Sequence, residues 1–285
     1  MAFRRTSGSV VCPSCGSLVG VNDDKCYTCG RANPGLWGFG PLLRQLGADF
    51  GLVPIVIGVA GTLYLLSLLL SGSDIRSGGN MLTMLGPSTE ASLLLGASGG
   101  YPVFVLGHWW TVLSAIWLHG GVLHIVFNMM SVRNIAPITA EMIGPARTAI
   151  VYVLAGACGF LLSSVAAMYF PALPLLRGAP LTLGASASIF GLIGALVHYG
   201  RKSGSSMIHE QAKQWAFSML IYTLLPGIDS YAHLGGFIGG YALSAFFNPL
   251  TPERGDHTLV AIVCLAASVL AVAASFLTTY SLIFS

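Results

Sequence analysis

The chain has 285 residues, of which 54% are apolar and only 8% charged, with a formal net charge of +3 at pH 7. Its mean hydropathy is +0.77. A soluble globular domain carries about 25% charged residues, so this chain lacks the water-facing side chains to cover itself, and a soluble enzyme, a nucleic-acid binder and a disordered tail are all excluded as whole-chain readings. It reads as an all-α polytopic membrane protein, because helices satisfy their own backbone in lipid.

Residues 1–35 read as a small soluble module. Four of the six cysteines lie there, in the pairs Cys12-Pro-Ser-Cys15-Gly and Cys26-Tyr-Thr-Cys29-Gly. Four thiolates at this spacing suit tetrahedral Zn²⁺. The glycine after each pair permits a tight turn, and so small a module has too little core to fold without a staple. The alternatives are two disulfides or unbound thiols, and a reducing cytoplasm disfavours the disulfides. A four-cysteine zinc ribbon with structural Zn²⁺ is therefore expected. Cys158 and Cys264 lie in apolar runs and read as inert core side chains. The first 45 residues hold no apolar core of the length a secretory signal needs. Residues 36–50, with Gly38, Gly40, Pro41 and Gly47, read as a linker.

Residues 52–70 carry no charge and are long enough to cross a bilayer. Residues 71–118 form a long connection that starts Gly/Ser-rich and turns aromatic at Trp109, Trp110 and Trp117, which suits a segment lying in the membrane interface. Five further spans are expected over 121–139, 148–170, 186–199, 212–225 and 230–247, and a seventh over 258–278. No inverted repeat is evident. With the N-terminus in the cytoplasm, the inside holds Arg4, Arg5, Lys25, Arg31 and Arg44, then Arg133 and Arg147, then Arg201, Lys202 and Lys213, then Arg254; the outside holds Arg76 and Arg177. The excess of inner positive charge favours N-in, C-out. From Ser186 to Arg201 is roughly 22 Å of helix, against a hydrocarbon core of about 30 Å. Ser186 is thus expected below the outer surface, beside the irregular segment 178–184, in a recessed hydrophilic cavity.

Polar side chains inside spans are costly and read as functional by default. His119, His124, Asn128, Ser186 and His233 all fall in the outer half under that orientation. His124 and Asn128 are four apart and share a helix face, with His119 at the outer mouth of the same helix. Singly, each has a plain structural reading: a serine back-bonding its own helix, a histidine that packs, an asparagine that bridges helices. Jointly they are less easily dismissed. Small residues flank Ser186 (Gly184, Ala185, Ala187), and Gly235, Gly236, Gly239 and Gly240 follow His233. Close helix approach is what a Ser–His hydrogen bond between helices requires.

The segment His119-Gly-Gly-Val-Leu-His124-Ile-Val-Phe-Asn128, then Gly184-Ala-Ser186-Ala, then Ala232-His233-Leu-Gly-Gly, resembles the rhomboid intramembrane serine proteases over about residues 50–248. The resemblance implies a six-helix core, 51–248, followed by a cytoplasmic loop and a seventh transmembrane helix in 249–285. It implies a serine endopeptidase that cleaves transmembrane segments near their outer ends. By position, Ser186 matches the nucleophile, His233 the general base, His124 and Asn128 the oxyanion-hole residues, and Gly184 the glycine of the serine motif; His119 is kept as a structural polar residue. Thr111 stands where the family's first-loop arginine is usual, and Phe190 where some members carry a tyrosine against the histidine. Asp229, four residues before His233, reads as a solvated helix-start residue rather than a triad acid.

The expected partners are transmembrane substrates and the lipid bilayer; a cytoplasmic protein is a candidate partner of the zinc module, and no nucleic acid is expected. Catalysis itself needs no cofactor, and the expected setting is the bacterial inner membrane. The alternative is a rhomboid-like, non-proteolytic protein that binds membrane clients. Residues 209–213 lack the second histidine of HExxH, no span clearly holds an aspartate, and the repeats of a transporter are missing.

Overall fold

The computed structural model describes residues 4–76, 83–170, 178–223 and 227–284. Arg177, one of the two outer charges in the orientation argument, and the last two residues of the span expected at 212–225 lie outside these. Among the described residues seven helices have eighteen residues or more: α2 (Leu52–Ser71), α5 (Val122–Ile143), α6 (Pro145–Tyr169), α7 (Ser186–Ser203), α8 (Ser206–Thr223), α9 (Ser230–Phe247) and α10 (Gly255–Phe284). They overlap the seven expected runs, with α8 starting six residues before 212. Of the shorter helices, α1 (Gly40–Gln45) precedes α2, and α3 (Thr89–Leu94) and α4 (Thr111–Ser114) lie between α2 and α5. The protein is an integral multi-pass membrane protein.

Their lengths are unequal. Among the described residues Leu52–Asp74, Pro145–Tyr169 and Gly255–Ser281 are long and apolar enough to cross a membrane; Thr111–Trp117 with Val122–Ile143, bent by 91° at the break, makes a fourth. The remaining three are shorter, and two of them carry charges: Arg201 and Lys202 end α7, while Glu210 and Lys213 sit in α8. The fold tolerates this because α7 is lined by other helices. Ala187, Ile189, Leu192, Ile193 and Ala195 are fully buried, against α6 and α9 on one side and α8 on another.

Local chemistry sets the helix ends. The Asp49 carboxylate accepts the Val53 N–H at 2.5 Å at the start of α2. Gly144, at φ 96°, alone joins α5 to α6, and Pro145 opens α6 with φ already set for a helix. Arg133, within the expected span 121–139, lies inside α5 and is exposed. Two expectations change shape. The 36–50 linker carries a 3₁₀ turn, Leu36–Gly38, and α1, with Pro41 in its first turn. The tryptophans of the first loop diverge: Trp109 is exposed, Trp110 donates to Ser275 Oγ of α10 at 3.1 Å, and Trp117 is buried against Tyr152. Thr111 Oγ1 donates to the His108 carbonyl at 2.8 Å.

The N-terminal module is a two-stranded antiparallel hairpin, β1 (Ser9–Val11) and β2 (Leu18–Gly20), with Val10, Val19 and Val21 packed on the cysteines. It is docked, not tethered. Arg31 reaches Glu253, between α9 and α10, at 3.5 Å and Thr258 Oγ1 at 2.8 Å. Ser14 Oγ donates to the Glu253 carbonyl. Glu253 also accepts the Arg147 N–H at 2.8 Å. A cavity of about 670 Å³ between module and bundle is lined by Cys15, Arg44, Glu141, Tyr199 and Glu253. Tyr199 lies about 20 Å along α7 from Ser186, so this cavity belongs to the opposite end of the bundle from the serine.

Candidate active site

Ser186 is the first residue of α7. The chain reaches it through Gly184, whose φ of 134° side chains rarely allow, and whose N–H is held by the Ala115 carbonyl at 2.9 Å. At a helix start the Ser186 N–H has no intrahelical acceptor. His233 lies in the first turn of α9, which Asp229 caps by accepting the Ala232 N–H at 3.0 Å. His233 Nε2 stands 2.8 Å from Ser186 Oγ.

Glycine packing makes that distance possible. A Cβ on Gly236 would lie 2.1 Å from the Ala187 carbonyl oxygen, and one on Gly240 1.9 Å from that of Gly191. Helices α7 and α9 therefore touch backbone to backbone, as small residues permit. On the next helix over, a Cβ on Gly159 of α6 would meet the Ala232 carbonyl at 2.3 Å. The His233 ring is held flat against Phe190, centroids 4.3 Å apart and planes 16° from parallel.

Across from Ser186, α5 presents His124 and Asn128. A Cβ on Gly184 would meet His124 Nε2 at 2.7 Å and Asn128 Nδ2 at 3.7 Å. His124 Nδ1 accepts the Gly120 N–H at 3.3 Å, which leaves the ring proton on Nε2, the nitrogen beside Gly184. Asn128 is buried and its Nδ2 has no partner among the described residues. Unspent donors thus converge near Ser186. His119 precedes α5 and is not part of it; it is 1% exposed, edge-on to His124 with centroids 5.2 Å apart. It is a buried neighbour of His124, where a residue at an open mouth is expected.

Two further placements differ from sequence expectation. Asp229 is a half-buried cap, with its second oxygen accepting from Ser163 Oγ, where a solvated residue is expected. The nitrogen of His233 that a triad acid would hold is instead met by Thr223 Oγ1, at the end of α8, at 2.7 Å. Sequence reasoning passes over Thr223, because a threonine in an apolar helix ten residues before the histidine carries no signal.

In the N-terminal module the Sγ atoms of Cys12, Cys15, Cys26 and Cys29 all lie within 4.8 Å of one another, and none is in a disulfide. The two knuckles fold alike. Gly16 and Gly30 take φ 75° and 72°, and their N–H groups return to the Cys12 and Cys26 carbonyls at 3.0 and 2.8 Å. A cage of four sulfurs fits a tetrahedral metal ion.

A bundle of membrane helices with a serine and a histidine hydrogen-bonded between two of them is the class of molecule that fold and site define. Residues 106–249 match the family model of the rhomboid domain, about half of the chain, and the protein belongs to the rhomboid family. Similar curated proteins include RHOMBOID-like protein 1 of Arabidopsis thaliana, 32% identical over 180 residues, 60% of this chain and 43% of that one. Another is the rhomboid protease GluP of Bacillus subtilis (strain 168), 30% identical over 188 residues, 64% of this chain and 34% of that one. A third is rhomboid-like protease 3 of Toxoplasma gondii, 29% identical over 169 residues, 57% of this chain and 60% of that one. The chain spans half or less of the length of the first two.

Proposed function

We propose that the protein is an intramembrane serine endopeptidase that cleaves transmembrane segments through Ser186 and His233. The observation that carries this reading is the 2.8 Å contact between Ser186 Oγ and His233 Nε2. A serine hydroxyl is a poor nucleophile until a base takes its proton. In the proposed reaction Oγ attacks the scissile carbonyl carbon while its proton passes to Nε2. The oxyanion takes hydrogen bonds from the Ser186 N–H, His124 Nε2–H and Asn128 Nδ2, donors already in place and so costing no reorganisation. Collapse expels the amine, which leaves with the proton from His233, and water resolves the acyl-enzyme by the reverse relay. A non-proteolytic client binder has no use for a serine held on a histidine.

A substrate helix hides its carbonyls in its own hydrogen bonds, so segments that unwind readily near their outer ends are the proposed substrates. The proposed orientation is N-in, C-out, on the charge distribution, with the bacterial inner membrane as the setting. The zinc module supports the same side: it meets the Gly144 turn and the α9–α10 junction, both assigned to the cytoplasm. The proposed ion is one structural Zn²⁺ on Cys12, Cys15, Cys26 and Cys29, which would staple the module and take no part in proteolysis.

The test is purified protein in proteoliposomes with a single-span substrate, beside Ser186→Ala and His233→Ala. Both variants should lose cleavage and lose labelling by a fluorophosphonate probe while keeping the wild-type melting temperature. Turnover within a few-fold of wild type in either variant would overturn the assignment.

A further inference from the structure

Three helices meet in one chain of hydrogen bonds. Thr223 Oγ1, buried at the end of α8, is 3.2 Å from the Met219 carbonyl oxygen and 2.7 Å from His233 Nδ1. His233 Nε2 is 2.8 Å from Ser186 Oγ. The hydroxyl owns one proton, and a carbonyl oxygen can only accept. Satisfying both contacts of Thr223 therefore requires it to donate to Met219 and accept from Nδ1–H. With the proton on Nδ1, Nε2 carries the lone pair and accepts from Ser186. The reverse polarity would put the proton on Nε2, forfeit the Met219 bond, and leave Ser186 facing a donor that cannot take its proton.

We propose that Thr223 is the positioning residue of this site: it fixes His233 in the Nδ1–H tautomer and holds the ring edge that Phe190 stacking alone leaves free to turn in its plane. This rests on the proteolytic reading only for its effect on rate; the tautomer stands on geometry. The group that orients the base is thus a neutral hydroxyl. It directs the proton without the charge a carboxylate would bring, which suits a site between apolar helices, where an unpaired carboxylate is costly. Asp229, an acid at this end of α9, is engaged by Ala232 and Ser163.

The experiment uses the full chain, with ¹⁵N-histidine, and Thr223→Val and Thr223→Ser variants. The His233 resonances are assigned by their loss in His233→Ala. Wild type should show a protonated Nδ1 and an unprotonated Nε2. Thr223→Val, nearly isosteric, should give a mixture of tautomers and lower kcat about 10- to 100-fold, the effect of losing one hydrogen bond to a group that becomes charged. KM should change less than about 3-fold, because substrate contacts are untouched, and Thr223→Ser should restore both tautomer and rate. A wild-type Nε2–H tautomer overturns the proposal whatever the activity, and so does Thr223→Val with an unchanged spectrum and kcat. The wild-type spectrum decides even where the valine variant fails to fold. The proposed tautomer in a wild type that cleaves nothing would leave Thr223 as assigned and defeat the proteolytic reading instead.

Discussion

Adding one methyl group at Gly236 should disable the site without touching a reacting atom. The Cβ would lie 2.1 Å from the Ala187 carbonyl oxygen, where separations under 3.0 Å are essentially never seen. The obstacle is backbone, not a flexible side chain, so α9 and α7 must part by about 0.9 Å near Ser186. Taken along the Ser186–His233 bond, that opening stretches 2.8 Å to about 3.7 Å, beyond hydrogen-bond range. A misplacement of about 1 Å at a reacting pair costs on the order of 10² in rate, and forcing a methyl into a packed interface costs about 1–3 kcal/mol of stability. Gly61→Ala is the control, since a Cβ there meets nothing within 4 Å. Cleavage of a single-span substrate in proteoliposomes, with melting temperatures in parallel, reads both effects. Gly236→Ala cleaving within about 3-fold of wild type would show that the helix contact does not set the geometry of the pair.

Removing one oxyanion donor should cost about 10²–10³ in kcat, so Asn128→Ala and His124→Ala should each fall in that range and well short of Ser186→Ala; a loss as complete as that of the serine variant would give either residue a different role. Metal analysis should find one Zn²⁺ per chain, reduced to below about half an equivalent in Cys12→Ser or Cys26→Ser. Wild type with no bound metal after gentle purification would refute the ribbon.

Whatever leaves a periodic or compositional trace is legible in the sequence. The seven apolar runs lie where the seven long helices form, because hydrocarbon forces backbone satisfaction within each segment. Gly235, Gly236, Gly239 and Gly240 announce a tight helix pair, and the CxxC spacing announces the thiol cluster. Phe190 is expected against His233 only through the family resemblance, and the two rings are stacked. Thr223 and the Arg31–Glu253 contact leave no trace, because each joins segments through space by a single polar bond. Asp229 reads as solvated since a helix-start aspartate usually is; here one carboxylate oxygen caps α9 and the other accepts from Ser163 Oγ. The charge count takes Arg133 as an inner charge although it falls within the 121–139 run, and α5 holds it.

The Arg31 contact bears on how the module and the bundle are joined. Glu253 is buried between Arg31 and the Arg147 N–H, and burial pushes its carboxyl up from the ordinary range while those two partners pull it down. Such a group depends on its cation: removing one member of a buried pair costs about 3–5 kcal/mol, since the other charge stays buried and unpaired. Arg31→Ala removes only the module's side of the contact. It should expose the 36–50 segment to limited proteolysis and lower the melting temperature, because Glu253 keeps the Arg147 N–H but stays buried without its cation. Glu253→Ala strips both sides and should lower the bundle's melting temperature as well. Neither should slow cleavage more than about 2-fold, because Ser186 lies about 20 Å away along α7, and deletion of 1–35 should behave as Arg31→Ala does. Protection of 36–50 in Arg31→Ala equal to wild type would mean that the module is held by other contacts, among which the Ser14 Oγ bond to the Glu253 carbonyl is the next to remove.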